Sequence, residues 1–122
     1  MPERLTDAQL TDLERTLRRQ RSELDTEQAR MAGSLAEVRS ARSDSDTDDE
    51  HDPEGPTLSS EWSRISGLTT ELEARSAAID RALQRVETGD YGVCIRCGLP
   101  IGFDRLDALP AAELCITCAR RA

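Results

Sequence analysis

Residues 94–118 read CIRCGLPIGFDRLDALPAAELCITC and contain all four cysteines of the chain, as two C-x-x-C pairs with seventeen residues between them. A C-x-x-C pair brings two thiolates close enough to bind one ion, and the intervening chain is long enough to return and complete a tetrahedron. Soft sulfur ligands favour zinc, and four of them leave no position open for water or substrate. The spacing therefore predicts one structural Zn²⁺ ion held by Cys94, Cys97, Cys115 and Cys118.

Two other interpretations of these cysteines fit the sequence less well. A thioredoxin-like redox pair requires a helix directly after the cysteines, and Gly98 and Pro100 interrupt such a helix. A disulfide pair requires export, but the first residues, MPERLTDAQL, lack the apolar run of a signal peptide.

No stretch approaches the roughly 20 apolar residues of a membrane span. We therefore expect a cytoplasmic protein that does not enter a membrane.

Two long segments before the cysteines carry a helical repeat of apolar residues. In the first, every seventh residue is apolar: Leu10, Leu17, Leu24, Met31 and Val38. In the second, steps of four and three alternate: Leu58, Trp62, Ile65, Thr69, Leu72, Ser76, Ile79, Leu83 and Val86. These patterns predict helices over about 7–42 and 58–88, each with one contact stripe. Two such helices joined by one linker most simply pack as an antiparallel coiled-coil hairpin in a monomer, with a parallel homodimer as the alternative.

The linker between these helices, residues 43–57, reads SDSDTDDEHDPEGPT and carries nearly all of the net charge. It has seven carboxylates and no basic residue, against a net charge of -8 for the whole chain. Taken alone, such a run is most often a solvated loop whose charges repel one another. Its alternating aspartates are similar to the start of an EF-hand, but Asp49 stands where the turn glycine belongs and Gly55 where the bidentate Glu belongs. A calcium loop is therefore not expected.

The composition predicts a mainly α protein with a thin core. One Trp, one Tyr and one Phe are too few for a compact globular core in 122 residues. The predicted domains are a helical hairpin with an acidic tip over residues 1–90 and a small four-cysteine zinc-finger module over residues 91–122. The net negative charge disfavours direct DNA binding, and the module has too little positive charge for a nucleic-acid surface.

The cysteine module resembles the zinc-finger signature of the DksA/TraR family of bacterial transcription factors. The shared pattern, Y-G-x-C-x-x-C-G-x-P-I-G-x-x-R-L-x-A-x-P-x-A-x-L-C-x-x-C, runs from Tyr91 to Cys118. The order of helix, acidic tip, helix and zinc module extends the resemblance to nearly the whole chain. It implies a non-enzymatic regulator that binds RNA polymerase rather than DNA. It also implies that the hairpin enters the secondary channel and that an acidic pair at its tip acts near the catalytic magnesium.

The resemblance is incomplete at the tip. Family members have a tip similar to D-x-x-D-x-A, and the nearest acidic pair here is Asp52 and Glu54, for which Asp49 and Glu50 could substitute. The positions at which some members place basic residues for the alarmone ppGpp align with Ala78, Leu109 and Ala119, so alarmone synergy is not expected.

Arg105 has two interpretations, a contact with the polymerase or a hydrogen bond to a backbone carbonyl within the module, and the sequence leaves both open. The alternative functions are a zinc-stabilised coiled-coil interaction protein and a transcript-cleavage factor similar to the Gre factors.

Overall fold

The computed structural model describes residues 2–45 and 58–122, and the side chains of 42–45 lie outside that description. The described residues form four helices: α1 (Asp7–Ser45), α2 (Leu58–Thr88), α3 (Phe103–Ala108) and α4 (Ile116–Arg120). An isolated bridge between Val93 and Pro100 is their only β pairing. The mainly α fold, with two long helices packed together and a small cysteine module, is confirmed. In this described part, no helix is both long and apolar enough to cross a membrane.

Helix α1 begins at a capping box that the periodic pattern did not reveal. The Thr6 hydroxyl accepts a hydrogen bond from the Gln9 N–H at 3.1 Å, and the Gln9 side-chain oxygen accepts from the Thr6 N–H at 3.0 Å. These two bonds satisfy backbone donors that no preceding turn can satisfy. At its other end α1 continues to Ser45, three residues beyond the predicted end.

The first compact unit combines residues 2–23 with Ser76–Ala122. Its buried side chains come from both long helices and from the module: Leu13, Leu17, Ile79, Ala82, Tyr91, Ile101 and Leu106. A polar layer joins the helices in this unit. Arg21 of α1 donates through Nη1 to the buried Ser76 hydroxyl at 2.5 Å and through Nε to Asp80 at 2.7 Å. The contact between α1 and α2 in this unit is therefore partly polar.

The second compact unit lies within residues 24–75. Its buried side chains, Leu24, Val38, Ile65 and Leu72, all belong to the predicted stripes. The Arg39 guanidinium also lies 5.5 Å from the centre of the Trp62 ring, which is within the range of a cation–π interaction. The Trp62 side chain is half-buried.

The predicted division at residue 90 stays a prediction. In the structure, the first part of α1, up to Glu23, and the last part of α2, from Ser76, form one compact unit with the cysteine module. The acidic tip residues Asp49, Glu50, Asp52 and Glu54 lie outside the described residues.

Candidate metal centre

The first cysteine pair lies on a tight ribbon that follows α2. Helix α2 stops where the N–H groups of Asp90 and Tyr91 both bond to the Arg85 carbonyl. The chain then doubles back, with the Cys94 N–H bonded to the Leu99 carbonyl at 2.8 Å and the Gly98 N–H bonded to the Cys94 carbonyl at 2.9 Å. This turn contains both cysteines of the first pair.

The second cysteine pair lies at the start of α4. Cys115 is the N-cap residue, and its sulfur accepts a hydrogen bond from the Cys118 N–H at 3.5 Å. Backbone bonds hold this turn against the rest of the module, because the Ile95 N–H donates to the Glu113 carbonyl at 2.9 Å. The two cysteine turns are thus joined directly.

The four sulfurs fit one tetrahedral zinc ion. All of them lie within 4.8 Å of one another, and those of Cys97 and Cys115 are 3.7 Å apart. Zn–S bonds of about 2.3 Å at tetrahedral angles place sulfurs about 3.8 Å apart, whereas a disulfide requires about 2.05 Å. No other group of three or more potential metal ligands occurs in the described part of the chain.

The protein environment prepares two of the thiols for metal binding. Burial opposes ionisation of Cys94, but N–H groups of Cys115, Cys97 and Arg96 outweigh it and lower the pKa of Cys94 to about 6. The Cys118 N–H likewise lowers the pKa of Cys115. Hydrogen bonds from backbone N–H groups favour a thiolate because they point partial positive charge at it.

The other two thiols hold their protons more tightly. Burial, and then the neighbouring sulfurs, raise the pKa of Cys118 to about 12. The Leu99 N–H lowers the pKa of Cys97, but burial and the sulfurs of Cys94 and Cys115 outweigh it, so the net shift is upward. Like charges at this distance cannot all ionise without a cation, and a bound Zn²⁺ ion would supply that positive charge.

Arg105 fixes the segment before the second pair. Its Nε donates to the Leu114 carbonyl at 2.9 Å, next to Cys115. This is the backbone hydrogen bond that the sequence left open as one of two interpretations, and the bond holds the second cysteine turn in place.

Several contacts that support the module were not expected from the sequence. The Tyr91 hydroxyl donates to the Pro110 carbonyl at 2.7 Å, and burial raises the pKa of Tyr91 to about 12 although the nearby Arg85 charge lowers it. Glu113 pairs with Arg81 at 2.8 Å and with Arg85 at 3.7 Å. No repeat or motif marks these pairs, because they join residues far apart in the chain.

Comparison with known proteins agrees with this geometry. Residues 89–122 match the family described as the prokaryotic dksA/traR C4-type zinc finger. The RNA polymerase-binding transcription factor DksA of Escherichia coli (strain K12) is 50% identical over 40 residues, which cover 33% of this chain and 26% of that protein. The protein of the same name from Caulobacter vibrioides (strain NA1000 / CB15N) is 43% identical over 65 residues, which cover 52% and 46%. The matches therefore span from about a quarter to about half of the length of these relatives.

A solved structure resembles nearly the whole chain. Transcription factor DksA2 from Pseudomonas aeruginosa has a TM-score of 0.78 and 29% sequence identity, over 94% of this chain and 83% of that one. The likeness extends beyond the zinc finger to the two long helices. The four-cysteine cluster, the matched zinc-finger family and this shared architecture together support a DksA/TraR-type C4 zinc-finger protein.

Proposed function

We propose that this protein is a cytoplasmic, non-enzymatic transcription regulator that binds RNA polymerase. The observation that carries the proposal is the likeness of 94% of the chain to transcription factor DksA2, which includes both long helices as well as the module. The curated relatives that match the module are named RNA polymerase-binding transcription factors. We further propose that the chain acts as a monomer and does not contact DNA directly, consistent with its net charge of -8.

The module would hold one structural zinc ion. Cys94, Cys97, Cys115 and Cys118 would supply four thiolates, which complete a tetrahedral shell and leave no position for water or substrate. The ion would cross-link the ribbon after α2 to the start of α4. Its contribution would be to the stability of the module, because a closed shell provides no Lewis-acid chemistry.

The acidic tip would act inside the polymerase. We propose that the two long helices enter the secondary channel and that the linker between them carries the active carboxylates. Asp52 and Glu54 are the proposed pair, with Asp49 and Glu50 as the nearest substitutes. Carboxylates are the ligands that Mg²⁺ prefers, and they also attract basic channel residues. We also propose that Arg105 contacts the polymerase through the guanidinium nitrogens that do not bond to the Leu114 carbonyl.

A pull-down of purified core RNA polymerase tests the proposal. The samples are the wild type, a Cys94→Ser/Cys97→Ser variant and an Asp52→Asn/Glu54→Gln variant. The matched control for the tip is Asp44→Asn/Asp46→Asn, which removes the same amount of charge elsewhere in the linker. We expect zinc-site loss to abolish binding and the tip variant to bind normally but to lose its effect on transcription initiation.

Two results would contradict this proposal. Failure of the wild type to bind polymerase at micromolar concentration would leave a zinc-stabilised coiled-coil protein with a different partner. Stimulated cleavage of the transcript in stalled complexes, lost with the tip variant, would instead favour a Gre-like activity.

A further inference from the structure

We infer that residues 2–6, here called the N-terminal arm, pack against the zinc module only while the module has its metal bound. The arm lies against two glycines of the module, Gly92 and Gly102. This inference rests on the zinc site proposed above, but it requires nothing of the polymerase.

The two glycines leave room for the arm because they have no side chain. A Cβ atom on Gly102 would lie 2.8 Å from Cβ of Pro2, and one on Gly92 would lie 2.9 Å from Cδ1 of Leu5. Both distances are shorter than a carbon–carbon contact of about 3.5 Å. Both glycines also have positive φ, 97° and 88°, which other residues rarely adopt. The arm therefore fits against the module at two places along its length.

These two contact points flank the ribbon that carries the first cysteine pair. The Ile101 N–H donates to the Gly92 carbonyl at 2.8 Å, and the Cys94 N–H donates to the Leu99 carbonyl. The Gly102 carbonyl accepts from the Leu106 N–H at 3.2 Å, at the start of α3. A ribbon this short is only marginally stable by itself, so the metal that closes it would also keep the two glycines at the spacing that fits Pro2 and Leu5.

The other end of the arm is attached firmly to α1. The capping box of Thr6 and Gln9 fixes the direction in which the arm leaves the helix. The arm thus connects a stable helix to a metal-dependent module. Its release would be local, because α1 keeps its own backbone hydrogen bonds when the module opens.

The arm also contributes to the lining of a surface groove of about 690 Å³. Pro2, Glu3 and Arg4 line this groove together with the exposed Leu109 and Ile116. Metal loss would therefore remove the arm's part of this lining along with the arm contacts.

The rate of trypsin cleavage after Arg4 reports whether the arm is packed against the module. The zinc-loaded wild type, with its metal content checked by native mass spectrometry, is compared with the same protein after chelation. Cleavage after Arg18, inside α1, is followed in the same digest as an internal control. We expect chelation to accelerate cleavage after Arg4 several-fold more than cleavage after Arg18. Equal rates after Arg4 with and without zinc would overturn the inference, and so would equal acceleration at both sites.

Variants of the zinc-loaded protein test the contacts themselves. Each rate is taken relative to that of the same variant after chelation, which cancels the effect of a changed neighbour on trypsin itself. Leu5→Ser should expose the Arg4 site with zinc still bound, whereas Glu3→Gln, on an exposed residue of the same arm, should behave as the wild type. Gly92→Ala should also release the arm, and its matched control is Gly89→Ala. Gly89 has a similar φ of 84°, but a Cβ there meets nothing within 4 Å. Wild-type protection in Leu5→Ser would overturn the inference.

A double variant separates a steric contact from general damage to the module. In Gly92→Ala/Leu5→Ala the leucine atoms that meet the new methyl group are gone, so the remaining Pro2 contact should restore part of the protection that Gly92→Ala loses. An additive effect of the two changes would contradict a direct contact. None of these digests contains polymerase, so their failure and the failure of the proposed function are distinguishable.

Discussion

Arg81 of α2 donates a hydrogen bond from Nε to the Glu113 carboxylate at 2.8 Å, although the two residues are 32 positions apart. Arg85, one turn further along α2, lies 3.7 Å from the same carboxylate and is only 13% exposed. That approach is through Nη1, and the other two side-chain nitrogens of Arg85, Nε and Nη2, are buried with no hydrogen-bond partner among the described residues. Glu113 is thus the counter-charge for a mostly buried cation, immediately before the second cysteine turn.

We expect Glu113→Gln to destabilise the zinc-loaded protein by about 2 kcal/mol, because the change leaves the Arg85 charge without its anion. The measurement is urea unfolding followed by circular dichroism. Asp12→Asn is the control, since its carboxylate is 69% exposed and pairs with Arg15 on the same helix at 3.5 Å. That exposed pair contributes at most a few tenths of a kcal/mol. Equal effects of the two changes would contradict a special role for Glu113.

The polar layer of the first unit provides a second prediction. Arg21→Ala removes the donors to Ser76 and Asp80, and it leaves the buried Ser76 hydroxyl without that partner. We expect a loss of about 1–2 kcal/mol in the free energy of unfolding. Arg19→Ala, which loses only an exposed pair with Glu23 at 3.7 Å, should change it by no more than about 0.5 kcal/mol. Urea unfolding of both variants distinguishes the two cases.

Titration of Tyr91 gives a prediction for alkaline pH. Burial raises its pKa from 10.0 to about 12, which means that folding favours the protonated phenol. The stabilisation is therefore complete below pH 10 and is lost as the pH rises through about 12. Because Tyr91 is the only tyrosine, phenolate absorbance reports this group alone. We expect an apparent pKa near 12 in the folded protein and near 10 in denaturant.

Tyr91→Phe should cost about 1 kcal/mol at neutral pH, because the Pro110 carbonyl loses its donor. The variant should also lack the alkaline loss of stability that the wild type shows. A folded-state titration close to the ordinary tyrosine pKa would show that the phenol is not buried in solution.

Zinc binding should release protons and strengthen as the pH rises. At neutral pH the metal-free protein keeps protons on Cys97 and Cys118, whose pKa values are raised, and a thiolate on Cys94, whose pKa is lowered to about 6. Zinc binds thiolates, so it must displace at least the two retained protons. Affinity should fall with acidification, and more steeply below about pH 6, where Cys94 also takes up a proton.

Calorimetry in buffers of different protonation enthalpy measures this release directly. The observed heat should depend on the buffer with a slope of at least two protons per zinc, since Cys97 and Cys118 both give up a proton. Heats that do not vary with the buffer would mean that all four thiols are already ionised before the metal arrives.

Local pattern alone determined two features of this protein, the long helices and the cysteine cluster. Seven-residue repetition places Leu17, Leu24, Ile65 and Leu72 on one side of their helices, and all four are buried. A helix repeats every 3.6 residues, so its buried face is recorded in the spacing of apolar residues. The C-x-x-C spacing likewise encodes a metal site, because short turns fix how far apart two sulfurs can lie.

Only the tertiary structure decided how the module is fastened to the helices. Glu113 meets Arg81 and Arg85, and Leu5 meets Gly92, across distances in the chain that no repeat spans. Ala82 is fully buried although it lies outside the predicted stripe. Contacts of this kind depend on which surfaces meet after the chain has folded. The shape and charge of those surfaces determine which contacts form, and neither property produces a periodic pattern in the amino-acid sequence.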